Sequence, residues 1–369
     1  MRASIRQILT SGVTALLLSG SALPAAAQWQ TESKDGKASI KLGFLIQPQL
    51  ELLETVDQNA TSANLFIRRL RLLVGGALGE HWAFFFETDS PNLGKTNPNP
   101  GASIPGLKDQ SDIYVQDAYV TYSQGMAFKV DAGMIMLPHS RHGTQSAATL
   151  LAVDYGPFTF IDSGPGGERV GRDYGVQLRG YPAGQKLEYR LAVAQGVRGD
   201  QATNPLRVTG RAVYYPFGAE TGFFYGGTFQ GTKRQLGFGG GFDVQEDARI
   251  YSADAFFETP LLDARQGFTV QFNWMRYDGG SFLPLLPKQD AFLVEAGYHV
   301  WNHRLTPFVQ YQARNFAGAA MPDQDTLQAG VAWWMAGHQR NLKFSAGRLH
   351  TDGLPDRTQM LVQFQLFYF

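Results

Sequence analysis

The sequence of 369 residues contains no cysteine. An exported chain of this size therefore has to close its fold by some means other than a disulfide framework. After Ala27 there is also no apolar run long enough to cross a bilayer as a helix. Charge of one sign is missing too: 32 basic residues stand against 32 acidic ones, and loss of Arg2 and Arg6 with a leader leaves a net −2. That balance gives no basis for nucleic-acid binding or for a strong overall attraction of anions, so any selectivity must come from where single charges sit. Repeats, linkers and breaks in composition are absent, which argues for one domain.

The ends of the chain carry the first positive signals. Arg2 and Arg6 open it, Ile8–Leu18 is mostly apolar, and Ala25-Ala26-Ala27 offers small residues at a cleavage site. This is the pattern of a secretory signal peptide, with cleavage expected after Ala27. Residues 28–38 then read as a short polar periplasmic leader, mobile in the periplasm, and 39–369 as the folded domain. At the other end, Met360–Phe369 reads as a final strand with an aromatic last residue, resembling the signal by which outer-membrane barrels are recognised by the barrel-assembly machinery. Val362, Phe364, Leu366 and Tyr368 form its best apolar face, which puts Phe369 on the other face.

Between the ends, alternation with period two dominates. Ile40, Leu42, Phe44 and Ile46 alternate with Lys41, Gly43, Leu45 and Gln47. Leu70, Leu72 and Val74 alternate with Arg69, Arg71 and Leu73. Phe128, Val130, Ala132 and Met134 alternate with Lys129, Asp131, Gly133 and Ile135. Phe268, Val270, Phe272 and Trp274 alternate with Thr269, Gln271 and Asn273. Aromatics at 13% and a mean hydropathy of −0.20 fit strands with one apolar and one polar face. A membrane protein without spanning helices must be a closed barrel, because lipid satisfies no backbone groups.

Connector lengths sharpen this. Gly79-Glu80, Ser123-Gln124-Gly125 and Pro182–Gln185 are tight, whereas Leu52–Ala63, Ser90–Ser111, Pro138–Gly171, Tyr277–Gln289 and Asn315–Asp325 are long. Short turns on one side and long loops on the other are the barrel rhythm. About 17 segments read as strands. Demoting Gly222–Gly231, rich in glycine and threonine, restores an even count and turns all long loops to one side. The fold expected is all-β: a 16-stranded antiparallel transmembrane β-barrel in the bacterial outer membrane.

Phe66-Ile67-Arg68-Arg69-Leu70-Arg71-Leu72-Leu73-Val74-Gly75-Gly76, followed by Trp82–Asp89, resembles the phosphate-selective porin O/P family. Asp117–Tyr122, Gly133–Pro138 and Arg172–Leu178 continue the likeness, which covers most of Phe66–Phe369. The resemblance implies a 16-stranded barrel, a homotrimer, and a third loop folded inward to narrow the pore. It also implies a path lined by lysines and arginines, although lysine is sparse in the matching stretch of this chain.

Several residues could carry transport. The loop Pro138–Gly171 is too long for a simple connector. It holds His139, Arg141 and His142 near its start and Arg169 near its end, beside Arg172, with the turn-rich Asp162–Glu168 between. Folded inward, it would bring cations to a constriction, where guanidinium forks and backbone N–H groups hold an oxyanion. Arg69, Arg71, Arg179, Arg190, Arg207 and Arg211 fall on polar strand faces, as does Lys129. An arginine facing lipid costs about 2–4 kcal/mol at mid-depth, so these are expected to point inward. Glu87, Asp89, Asp117, Asp131, Glu188 and Glu295 share that parity, so ion pairing that merely braces the wall competes with selectivity. The pore-lining, anion-binding candidates are Arg69, Arg71, Lys129, Arg141, Arg169, Arg172, Arg179 and Arg190. Trp82, Trp274, Trp301, Trp333, Trp334, Tyr214 and Tyr368 are candidates for interfacial girdles.

The function expected is passive diffusion of small hydrophilic solutes, with a preference for anions such as phosphate or polyphosphate. The alternative within the class is a general diffusion porin. Outside it stand a barrel hydrolase, for which Ser140 beside His139 and His142 is the tempting cluster, and a secreted β-rich adhesin. His299, His303 and His338 lack metal-ligand spacing and read as rim or turn residues. Gly237-Phe238-Gly239-Gly240-Gly241 lacks the Lys-Ser/Thr of a phosphate-binding loop. No metal, cofactor, catalytic residue or nucleic acid is expected; the partners are small anions, outer-membrane lipid and further copies of the chain.

Overall fold

The computed structural model describes residues 29–96, 112–160, 170–261, 264–318 and 321–369. The leader to Ala27, the patch Asp162–Glu168 and Arg169 lie outside the described residues. A short strand, β1 (Trp29–Glu32), precedes β2 (Ala38–Glu54), β3 (Thr61–Leu78), β4 (Trp82–Asp89), β5 (Tyr114–Ser123), β6 (Lys129–Met136), β7 (Arg172–Gly180), β8 (Leu187–Ala194) and β9 (Arg207–Tyr214). The second half contains β10 (Gln235–Gln245), β11 (Ala248–Leu261), β12 (Gln266–Asp278), β13 (Gln289–His299), β14 (Leu305–Phe316), β15 (Gln324–Ala336), β16 (Arg340–Thr351) and β17 (Arg357–Tyr368). Each strand from β2 onward pairs antiparallel with the next, and β17 returns to β2 from Gln359 opposite Leu53 to Tyr368 opposite Phe44. The result is a closed barrel of sixteen strands.

The strands sort inside out relative to a water-soluble core. On β12, Gln271 and Asn273 are buried while Phe272 between them is 41% exposed. On β16, Asn341, Lys343 and Ser345 are buried while Phe344 is exposed. On β8, Glu188 and Arg190 are buried and Leu187, Leu191 and Val193 are exposed. Polar side chains therefore face the lumen and apolar ones face lipid, as strict alternation requires. Phe369 sits on the inner face, its ring 5.7 Å from that of Phe85 and 4.4 Å from the Lys41 ammonium.

Four details depart from the sequence reading. Trp29–Glu32 is a strand and not a loose leader: it pairs with Ser39–Leu42, where β17 has already ended and the edge of β2 is open. The connector expected over Leu52–Ala63 shrinks to 55–60, because β2 and β3 stay paired out to Glu54 and Thr61. Trp334 is not in a girdle; neighbours on a strand face opposite ways, so Trp333 is exposed while Trp334 is buried with its indole N–H donating to Thr306. Finally, Gly222–Gly231 is indeed no barrel strand, but the long connections do not all lie on one side. The 215–234 connection joins β9 to β10 on the side of the tight turns, and the opposite link, from β10 to β11, is only 246–247.

The inside-out sorting predicts a sharp asymmetry at mid-strand. Phe272→Arg is expected to lower the stability of the barrel in lipid vesicles by about 2–4 kcal/mol, measured by reversible denaturant unfolding. Equal stability of Phe272→Arg and the parent protein would contradict the lipid-facing assignment.

Candidate functional site

The described part of the connection between β6 and β7, residues 137–160, lies across the lumen, and the strands around the barrel hold it there. The Lys343 ammonium donates to the Leu150 and Ala152 carbonyls at 2.5 and 3.0 Å. Gln365 donates to the Ala148 carbonyl at 2.9 Å. The His142 N–H donates to Asn273 at 3.0 Å, and the Tyr277 hydroxyl donates to the Phe158 carbonyl at 2.9 Å. The loop thus finds hydrogen-bond partners on β12, β16 and β17.

From the opposite side, the 215–234 connection folds up to meet it. Tyr225 and Gln145 form a parallel β-bridge, with Tyr225 N–H donating to Thr144 O and Ser146 N–H to Tyr225 O, both at 3.0 Å. Thr228 N–H donates to the Thr149 carbonyl at 3.1 Å. Gly227 allows this approach, since a Cβ there would lie 2.6 Å from that same carbonyl oxygen. Glu258 on β11 anchors the segment by accepting N–H bonds from Phe229 and Gly231 and a hydroxyl bond from Thr228. Two backbone segments, one from each end of the barrel, therefore join inside it.

They fill the lumen beside β7–β12, where the 215–234 segment lies, the loop also packing Leu151–Val153 against Phe308, Trp334 and Leu361, and leave a cavity of about 510 Å³ whose strand walls include β2, β3 and β14–β17. Two bulges shape its wall. On β3, Arg68 and Arg69 together face the single residue Gln47 of β2, so both guanidiniums reach inward. On β5, Gln116 is the extra residue, and it and Asp117 are both buried. Arg68 and Arg69 share one carboxylate, Asp154 of the loop, at 2.5 and 2.6 Å. Arg71 meets Glu87 at 2.6 Å and Asp89 at 2.8 Å, and Arg172 meets Asp117 at 3.1 Å. Lys95 meets Glu51 at 2.5 Å. Tyr155 stacks on Phe160 at 4.1 Å and lies under the Arg69 guanidinium at 5.3 Å.

Arg69, Arg71 and Arg172 thus line one cavity. Arg141, Arg179 and Arg190 are buried in the filled half. Arg141 pairs with Glu220 at 2.7 Å, its guanidinium 3.7 Å from the Phe256 ring. Arg179 pairs with Asp131 and Arg190 with Glu188, each at 2.6 Å. Arg207 and His139 both contact Asp243, and Arg211 binds Asp254 at 2.5 Å. Lys129 sits at the turn-side end of β6, paired across to Arg179 in the ladder. Ser140, beside His139 and His142, has its hydroxyl bonded to Gly143 N–H at 3.0 Å, a turn contact.

Period-two reading missed Arg68, because it assigned only Arg69 and Arg71 to the inner face. The signal was the adjacent pair itself: strict alternation sends one of two neighbouring arginines into lipid, and a bulge is the cheaper outcome. Asp154 and Tyr155 carry no local signal, since loop closure across the lumen brings them into place; Lys95 lies in the connection from β4 to β5, and Lys343 on β16 has inward parity beside the lipid-facing Phe344 that the reading passed over.

A model of the phosphate-selective porin O and P family matches residues 40–276. No curated protein matches the sequence. Among solved structures, OmpF of Salmonella typhi, in complex with daunomycin, superposes with a TM-score of 0.57 at 11% identity, covering 91% of this chain and 100% of that one. An anion-selective porin from Comamonas acidovorans gives 0.55 at 11% identity, with 90% and 100% covered. The trimer form of OmpT, an outer membrane protein of Vibrio cholerae, gives 0.51 at 11% identity, with 90% and 99% covered.

Two outcomes follow for the joined segments. Gly227→Val is expected to drive the segment off the loop at a cost of about 1–3 kcal/mol, seen as larger and noisier single-channel currents. The second concerns His142, whose Nε2 accepts the Gly156 N–H at 2.8 Å. Burial pushes its imidazole down to about 4, whereas a released loop titrates near the ordinary 6.5. The docked loop is therefore fully favoured above pH 6.5 and loses that margin as pH falls toward 4. Burial acts to raise the Asp154 carboxyl, but Arg68 and Arg69 hold it well below the usual carboxylate range, so it stays ionised in this window. Open-channel noise is expected to rise between pH 6.5 and 4.5 in the parent protein and to be flat with pH in His142→Gln.

Proposed function

The chain belongs to the phosphate-selective porin O and P family, and on that premise we propose that its outer-membrane channel passes small hydrophilic solutes by passive diffusion with a preference for anions. One observation carries the preference: among the described residues, Arg68, Arg69, Arg71, Lys95 and Arg172 line the large cavity against Glu51, Asp89 and Asp154. Arg68 and Arg69 matter most, because two guanidiniums share one carboxylate there, and the Arg68 side chain retains 23% exposure. An incoming anion finds a partly satisfied pair of forks held weakly enough for release, which conduction requires. General diffusion without selectivity is the rival reading, favoured by the pairing of Arg71 and Arg172 with carboxylates. A homotrimer in outer-membrane lipid, assembled through the C-terminal strand, belongs to the same proposal.

The test is the reversal potential of the purified protein in planar bilayers under a KCl gradient. The expected value lies toward the chloride equilibrium potential, and Arg68→Glu with Arg69→Glu is expected to move it to zero or beyond. A reversal potential near zero in the parent protein would leave general diffusion standing and remove the anion preference.

A further inference from the structure

The path below the large cavity is chemically unlike the cavity itself. Arg71 and Arg172 line both it and a second space of about 100 Å³ beneath the loop. This lower space is walled by Leu45, Leu73, Phe85, Phe224, Phe367 and Phe369. Among the described residues its charged lining is two guanidiniums, Arg71 and Arg172, against the carboxylate of Glu87, with Gln145 and Ser146 of the loop closing it above. Higher on β2 and β17 the same inward face carries Gln47, Gln49 and Gln363, so the apolar wall is a local change in the lumen. Phe85 meets Phe224 at 6.0 Å and Phe369 at 5.7 Å, both edge to face. The Lys41 ammonium lies 4.4 Å from the Phe369 ring, adding a cation at the floor.

An inorganic oxyanion entering this space would give up water on all sides and gain hydrogen bonds only from Arg71, Arg172 and the loop residues Gln145 and Ser146, with none from the six apolar side chains, which is unfavourable. An acid with an apolar body avoids that penalty, because its ring is what leaves water. At about 100 Å³ the space is smaller than the apolar cavity of about 150 Å³ that holds benzene, so it admits no more than one ring, with the acid group of that solute at Arg71 and Arg172, which also line the large cavity. Resting on the anion-preferring reading above, we propose that the solute class favoured by this channel is a small amphipathic organic anion, a carboxylate on one aromatic ring. The carboxylate reaches the guanidiniums of Arg71 and Arg172, which it shares with Glu87, Asp89 and Asp117, while the ring lies among Phe85, Phe224 and Phe369. The aromatic edges of the wall meet the face of the solute ring, a geometry that adds to area burial.

The probe is block of the KCl current in planar bilayers by benzoate, with acetate, phosphate and neutral benzyl alcohol as comparisons. Benzoate is expected to reach half-block at a concentration roughly tenfold below that of acetate or phosphate, an increment of one ring contact, and benzyl alcohol at a concentration well above it. Phe85→Gln and, separately, Phe224→Gln are expected to erase the advantage of benzoate over acetate while leaving the KCl reversal potential unchanged. Equal block by benzoate and acetate, stronger block by phosphate, or equal block by benzyl alcohol would each overturn the proposal. The comparison of solutes on the parent protein needs no variant to fold, and the reversal potential reports separately on whether the anion preference itself holds.

Discussion

The hydrogen bonds between β17 and β2 are what the rest of the molecule depends on. Lipid offers no partner to a strand edge, so sixteen strands left open would expose two rows of unpaired N–H and C=O groups. Pairing Gln359–Tyr368 with Phe44–Leu53 removes both edges. Closure also fixes an inside and an outside, and from that point parity decides the fate of every side chain. At the start of β2, before its pairing with β17 begins at Phe44, Ser39–Leu42 is covered by β1, so the same rule that closes the barrel explains the short strand before it.

A closed interior creates the second constraint. Guanidiniums that face inward beneath a covering loop lose water and need carboxylates. In the half filled by the loop and the 215–234 segment, Arg141, Arg179, Arg190 and Arg211 each have such a partner within 2.7 Å. Those pairs hold the wall and leave little charge for a solute. The balance changes at β3, where the bulge presents Arg68 beside Arg69 to a single loop carboxylate. Selectivity in such a lumen is a matter of stoichiometry between forks and carboxylates, not of the total number of cations.

How much of this the sequence discloses depends on the range of the interaction involved. Alternation is local, so the strand at Phe268–Trp274 and the inward parity of Arg69, Arg71, Arg179 and Arg190 are legible from neighbouring residues alone. A bulge is local too but breaks the period, which is why Arg68 escaped a strict reading. The side on which Tyr215–Arg234 emerges depends on whether Gly222–Gly231 crosses the membrane. The even strand count and the glycine- and threonine-rich makeup argue against that crossing, and the rhythm of short and long connectors then predicts every long loop on one side. The partners of Phe223, Tyr225 and Thr228 lie on β5, β8, β11 and the loop, and no short-range pattern encodes them. The same holds for Asp154, which gains its role only when the loop has crossed the lumen.

Meeting of the two inward segments has a consequence for how the channel discriminates. A loop anchored at one end of the barrel can swing, and its charges then average over many positions. Here the loop is bonded to β12, β16 and β17 from the side and to Tyr225 and Thr228 from below. Displacing it means breaking contacts with both the wall and a segment that Glu258 ties to β11. The position of Asp154 against Arg68 and Arg69 is therefore part of a braced framework, and so is the apolar space beneath, whose wall includes Phe224 of the lower segment. On the reading proposed above, a pore braced in this way would discriminate by fixed geometry, with a charged upper stage and an apolar lower stage that a solute meets in turn.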